Sequence, residues 1–142
     1  MIYLDTGCLV KLYYPEPDSV KVIQLVQGQS IAFSPLHELE LVNALQLKVF
    51  AKGATTTQAA AARALVECDT KQGLLISVAC IWPMVFEDAV RLAAQFSDTL
   101  GCRSLDILHC SAAKLLGATK FISTDARQKK LAIAMGLNLI SF

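Results

Sequence analysis

The sequence predicts an α/β fold in which a mostly parallel sheet carries helices on both faces. Short apolar runs alternate with longer helical patterns, and turn or cap residues punctuate the junctions. Asp5 directly follows one strand-like run, and Asp125 stands after another in Ile122-Ser123-Thr124-Asp125. Strands separated by helices need crossover connections, which are right-handed and bring the strands together in parallel. In such sheets ligands bind beyond the carboxyl ends of the strands, so the chemistry is to be sought beside those two acids.

Ile2 to Leu4 reads as a buried strand, followed by a short helix around Leu9 to Tyr13 that Pro15 and Pro17 break. A second helix is expected from Ser19 to Gln27 and a strand from Ser30 to Phe33. Ser34-Pro35 supplies an N-cap and a first-turn proline, opening a helix that should run to about Lys52 and stop at Gly53. Thr55-Thr56-Thr57-Gln58 has capping-box spacing, so Thr56 to Gln72 is expected to be helical, closed by Gly73. Leu74 to Val78 is strand-like, and Pro83 or Met84 starts a helix reaching about Phe96. Ser104 is the expected cap of a helix through Leu116, ended by Gly117. Phe121 and Ile122 lie in a fourth strand, Asp125 to Met135 is a helix ended by Gly136, and Leu137 to Ser141 is a last short strand.

The 142 residues fit a single domain over positions 1–142, with no low-complexity segment, repeat or linker. Hydrophobic residues make up 54% of the chain, above the roughly 45–50% usual for soluble domains. With only 18% charged residues, this surplus implies a thick core and apolar surface reserved for a partner. A formal net charge of +1 means that any nucleic-acid binding must rest on a local patch rather than on bulk charge. The five cysteines are odd in number and contain no C-x-x-C pair, which argues against a disulfide framework or a sulfur-rich zinc site and favours a reducing, cytoplasmic setting. The N-terminus has an acid at position 5 and no basic leader. The longest apolar stretch, Leu74 to Phe86, is too short for a bilayer and contains Pro83, so a soluble protein is expected.

Taken singly, the candidate acids have ordinary explanations. Asp5 can serve a turn or cap, Asp125 can cap the helix after it, and Asp106 sits in a first turn where a negative charge suits the helix dipole. Glu40 is harder to dismiss, because Leu39, Leu41, Val42, Ala44 and Leu45 surround it and carboxylates amid such residues are seldom buried unless paired or bound to metal. Glu38 falls nearly opposite on the helix and in its first turn, which favours Glu40. Asn43, three residues on, is placed to hold the Glu40 carboxylate or a water. Four carboxylates converging on one pocket require a compensating cation. Oxygen donors without cysteine or histidine suit Mg²⁺ or Mn²⁺ rather than zinc. Such a site fits phosphodiester hydrolysis.

These residues resemble the PIN domain, and most closely the VapC-like ribonuclease toxins of type II toxin–antitoxin pairs. The likeness rests on Tyr3-Leu4-Asp5-Thr6 with Leu9-Val10-Lys11-Leu12-Tyr13, on Glu40-Leu41-Val42-Asn43-Ala44-Leu45, on Arg103-Ser104-Leu105-Asp106-Ile107-Leu108-His109, and on Phe121-Ile122-Ser123-Thr124-Asp125-Ala126-Arg127-Gln128. Each motif is weak, but the ordered set spans essentially the whole chain. The resemblance implies a three-layer α/β/α fold, and it implies that Asp5, Glu40, Asp106 and Asp125 are both the metal-binding and the catalytic acids. It places Thr6 and Thr124 beside them, and it implies a Mg²⁺-dependent endoribonuclease, with Mn²⁺ as a substitute, that leaves a 5′-phosphate and a 3′-hydroxyl. It further implies a cognate antitoxin as inhibitor, and the apolar surplus is expected to serve a homodimer face and a groove for an antitoxin segment.

Lys11, Arg103, Arg127, Lys129 and Lys130 are candidate RNA-phosphate contacts, with ordinary solvated surface as the other reading. His109 is expected to make a structural hydrogen bond, since a lone histidine supplies no acid–base pair for metal-free cleavage. A PIN nuclease acting in RNA processing without an antitoxin and a catalytically silent PIN-fold binding module are the alternatives. A phosphate-accepting receiver domain lacks its acid pair here, and the haloacid-type phosphatase pattern is broken by Gly7.

Overall fold

A computed structural model describes residues 1–140; Ser141, the expected end of the last strand, lies outside the described residues. In chain order the elements are β1 (Tyr3–Leu4), α1 (Thr6–Tyr13), α2 (Ser19–Val26), β2 (Ile31–Phe33), α3 (Pro35–Phe50), α4 (Thr56–Lys71), β3 (Leu75–Ser77), α5 (Trp82–Leu100), α6 (Ser104–Leu115), β4 (Phe121–Ile122), α7 (Ala126–Ala134) and β5 (Leu139–Ile140). The alternation predicted from the sequence is therefore present, and every described strand pair is parallel. The residues group into two compact units, one formed by Met1–Asp5 with the chain from Ala79 onward, the other by Thr6–Val78.

In the first unit the strand order is β1-β4-β5, with Tyr3 opposite Phe121 and Phe121 opposite Leu139. β1 and β4 read as continuous apolar runs because a parallel strand is covered on both faces. Ile2, Tyr3, Leu4, Phe121 and Ile122 are all buried, and the Tyr3 and Phe121 rings stack with centroids 5.8 Å apart. Burying one such side chain contributes about 1.5–3 kcal/mol. Helix α6 packs against α5 and α7, with Ala112 and Ala113 fully buried. Ser111 locks α6 to α5 by donating to the Val85 carbonyl at 3.0 Å and to Asp88 at 2.9 Å. Helix α5 runs four residues beyond its expected end at Phe96, because the residue that stops it is Gly101, whose φ of 63° an L side chain rarely adopts.

In the second unit β2 and β3 pair in parallel, Ile31 opposite Leu75 and Phe33 opposite Ser77. Helix α3 opens as expected at Ser34-Pro35, but its capping box is closed by a histidine. The Ser34 N–H donates to His37 Nδ1 at 3.1 Å while the His37 N–H donates to Ser34 Oγ. A ring nitrogen that accepts from a backbone donor carries no proton, so the His37 proton resides on Nε2. Helix α4 has the predicted box, with Thr55 as N-cap and Gln58 reaching back to it. Leu36, Leu41 and Leu45 on α3, Ala59, Ala62 and Val66 on α4, and Leu75 on β3 are buried. Glu16 ties α1 to α3, taking an ion pair from Lys11 at 3.3 Å and another from Lys48.

Candidate metal and nuclease site

Strand β1 ends at Leu4, and Asp5 continues its ladder by donating its N–H to the Ile122 carbonyl at 2.9 Å. Strand β4 ends at Ile122, and Ser123 follows in the equivalent place. Asp5 and Ser123 thus stand at the carboxyl ends of adjacent parallel strands, where this class of sheet binds ligands. Both are buried, and the Ser123 hydroxyl donates to Asp5 Oδ2. The same hydroxyl accepts from the Asp125 N–H at 3.0 Å. One buried serine therefore fixes the Asp5 carboxylate and the turn that carries Asp125.

Asp125 is the N-cap of α7. Its Oδ1 accepts from the N–H groups of Arg127 at 2.8 Å and Gln128 at 2.9 Å, and its other carboxylate oxygen makes no hydrogen bond among the described residues. Asp106 stands in the first turn of α6. Its Oδ2 reaches back to the Arg103 N–H at 3.3 Å, so position 103, not Ser104, is the N-cap of this helix. The shift by one residue has a plain cause: an acid three positions into a helix can cap it from inside, and Ser104 is then helical.

Burial pushes the Asp106 carboxyl above the usual carboxylate range, and the negative charge of Asp125 pushes it further, against the pull of the Arg103 N–H and side chain. Burial likewise raises the thiol of Cys102, which feels Asp106 and Asp125, and that of Cys110, which feels Asp106 and Asp5 among its neighbours. The three acids of this unit therefore share one electrostatic neighbourhood. A nearby cation would favour the charged forms of two carboxylates that repel each other in a partly desolvated place.

Glu40 belongs to the second unit. It is half-buried on α3, and its Oε2 accepts from the Thr6 hydroxyl at 2.8 Å. Thr6 is the residue after Asp5 in the chain and is itself buried. Asn43 is exposed and makes no side-chain hydrogen bond among the described residues. Thr124 is likewise exposed, and the hydroxyl that donates to Asp5 is that of Ser123. Ser123 was legible as a polar residue directly after a strand, but nothing in the sequence ranks it above Thr124.

The cations divide. Lys11 is committed to Glu16, whereas Arg103 and Arg127 are exposed next to Asp106 and Asp125. Lys129 is half-buried and Lys130 exposed on α7. His109 is buried with its Nδ1 2.9 Å from the Tyr3 hydroxyl, in keeping with the structural role expected of it.

Among the described residues, no group of three or more His, Cys, Asp or Glu side chains stands ready-made to hold a metal ion. The donors nevertheless suit a hard divalent cation. Asp106 and Asp125 are neighbouring carboxylates, and Mg²⁺ binds through one or two carboxylates while keeping several waters. Among the described residues, no helix is long and apolar enough to cross a membrane.

A family model described as the PIN domain matches residues 2–134 of this chain. Comparison with curated proteins returned no match. Among solved structures, the chain is similar to VapBC2 from Rickettsia felis bound to a DNA fragment from their promoter, at 19% identity and a TM-score of 0.64, covering 99% of this chain and 98% of that one. It is also similar to VapBC-1 from nontypeable Haemophilus influenzae, at 17% identity and a TM-score of 0.63, covering 99% and 98% of the two chains. FitAcB from Neisseria gonorrhoeae matches at 14% identity and a TM-score of 0.60, covering 99% and 97%. At these identities the likeness concerns the fold.

Proposed function

The chain belongs to the PIN domain family, and on that premise we propose that it is a Mg²⁺-dependent endoribonuclease, a VapC-like toxin that hydrolyses RNA phosphodiester bonds. The observation that carries this reading is the linkage of Asp5, Ser123 and Asp125 at the carboxyl ends of β1 and β4, beside an Asp106 whose carboxyl is raised by burial and by Asp125. Asp5, Glu40, Asp106 and Asp125 are the proposed metal-binding and catalytic acids.

A divalent cation, when bound, stabilises charge on the scissile phosphate and makes a nucleophile available at neutral pH. The chain's own residues do the rest. Asp106 and Asp125 would hold the cation with their neighbouring negative charges. Ser123 fixes the Asp5 carboxylate so that one oxygen stays oriented, and Thr6 does the same for Glu40. Arg103 and Arg127, exposed beside these acids, take the flanking phosphates of the RNA and offset the repulsion between substrate and carboxylates. Mn²⁺ substitutes for Mg²⁺ at such an oxygen site.

The likeness in fold to VapBC2, VapBC-1 and FitAcB supports a partner protein, which we propose to be a cognate antitoxin. A homodimeric state and a cytoplasmic site of action belong to the same proposal and rest on the apolar surplus and the unpaired cysteine pattern of the sequence. Purified protein is expected to cleave RNA with Mg²⁺ or Mn²⁺, and Asp5→Asn or Asp106→Asn to abolish cleavage. Cleavage that persists unchanged in excess chelator would refute the mechanism. Light scattering that finds a monomer at micromolar concentration would refute the dimer and leave the nuclease standing.

A further inference from the structure

Gln128 breaks a local rule. Positions 128, 131 and 132 lie on the buried face of α7, where Leu131 and Ala132 are fully enclosed and an apolar side chain belongs. Gln128 is 1% exposed. Its Nε2 donates to the Asp106 backbone carbonyl at 3.3 Å, and its Oε1 has no hydrogen-bond partner among the described residues. Turning the amide over would set an oxygen against the Asp106 carbonyl oxygen, so the donor end must face Asp106. The orphaned oxygen makes this amide costly to bury, and a leucine or methionine of similar volume would not carry that cost. Residues that violate a local rule in this way mark functional or strained places.

What the amide joins gives it a use. The Gln128 N–H is one of the two groups that the Asp125 carboxylate caps, so Gln128 is fixed to Asp125 through its backbone and to Asp106 through its side chain. We propose that Gln128 is a positioning residue that ties the first turn of α7 to the first turn of α6 and so holds the Asp106 and Asp125 carboxylates at a fixed separation for a divalent cation. This rests on the metal reading of the site given above. Groups that orient metal ligands through hydrogen bonds typically change metal affinity by about 10–100-fold when removed.

The test uses the full chain and Mn²⁺ alone, with affinity read by calorimetry and stability by thermal unfolding. Gln128→Met keeps the volume and removes the donor. It is expected to raise the Mn²⁺ Kd about tenfold, the lower end of that range, while Tm stays at or above that of the parent. Ser111→Ala, which loosens α6 at its packing on α5, should lower Tm and leave the Mn²⁺ Kd at the parent value. A Gln128→Met protein that binds Mn²⁺ as tightly as the parent overturns the proposal. So does one whose Tm falls together with its affinity, which would make the amide merely structural. Gln128→Leu provides the same reading if the methionine variant does not fold, and failure of both to fold overturns it as well. A parent that binds no Mn²⁺ defeats the metal reading itself and this inference with it, an outcome distinct from unchanged affinity in the variants.

Discussion

Replacing Ser123 by alanine isolates the bond network at the strand ends. The substitution removes one oxygen atom from a residue that is 1% exposed, so it opens almost no cavity, and the loss is that of two hydrogen bonds. The first runs to a carboxylate that is itself only 6% exposed, and hydrogen bonds to charged groups contribute about 1.5–3 kcal/mol. The second accepts the Asp125 N–H at 3.0 Å, a neutral bond of about 0.5–1.5 kcal/mol. Together the two amount to about 2–4.5 kcal/mol. In urea, at a slope of about 2 kcal/mol/M, the middle of the range for small proteins, the unfolding midpoint should fall by about 1–2 M with the slope unchanged. If the midpoint stays within about 0.3 M of the parent at equal slope, Ser123 is not an energetic link between the two strand ends, and its role in holding Asp5 falls with it.

Other substitutions test the rest of the frame. Glu16→Gln should cost about 1 kcal/mol at neutral pH, because Lys11 and Lys48 lose a shared, half-buried partner. Burial pushes the Glu16 carboxyl up, but the two lysine ammonium groups outweigh it and hold the carboxyl below its usual range. A lowered folded-state value contributes stability above the unfolded value, lost as pH falls through the folded one, so the deficit of the variant should shrink below about pH 4.3 when stability is followed by denaturant titration. Tyr13→Phe removes a phenol that donates to Asp69 Oδ2 at 2.9 Å and should lower stability by about 1–3 kcal/mol, seen as a Tm reduced by several degrees. Thr55→Ala should cost about 1 kcal/mol through the cap of α4, measurable by circular dichroism melting.

Caps and turns account for most of what can be read from the chain. Ser34-Pro35, Thr55 with Gln58, and Asp125 each announce a helix start by a local hydrogen bond that needs no tertiary partner. Asp5 and Asp125 are legible as acids placed after apolar runs, although a turn or a cap explains each of them equally well in the sequence alone. What escapes the sequence depends on contacts between distant positions. Thr6 reaches Glu40 across 34 residues, where helical spacing alone points to Asn43. Lys11 pairs with Glu16 across the Pro15 break, so no periodicity announces that it is occupied. Ser123 and Thr124 are adjacent hydroxyls, and only the direction of the chain after β4 decides which turns inward. The buried face of α7 did carry a signal, for a glutamine stood at an apolar position, but its meaning depends on the Asp106 carbonyl.

The pairing of β1 with β4 also sets an order of events in time. The Asp5 carboxylate and the Ser123 hydroxyl that holds it are 118 residues apart in the chain. At translation speeds of about 5–20 residues per second, roughly 6–24 s pass between synthesis of the two. Throughout that interval the nascent chain carries its first acid without the strand that seats it, and closing so long a loop is a late, slow step of folding. A growing or truncated chain therefore lacks the seated carboxylate, and Asp5 and Asp125 come into register only once Asp125 has left the ribosome.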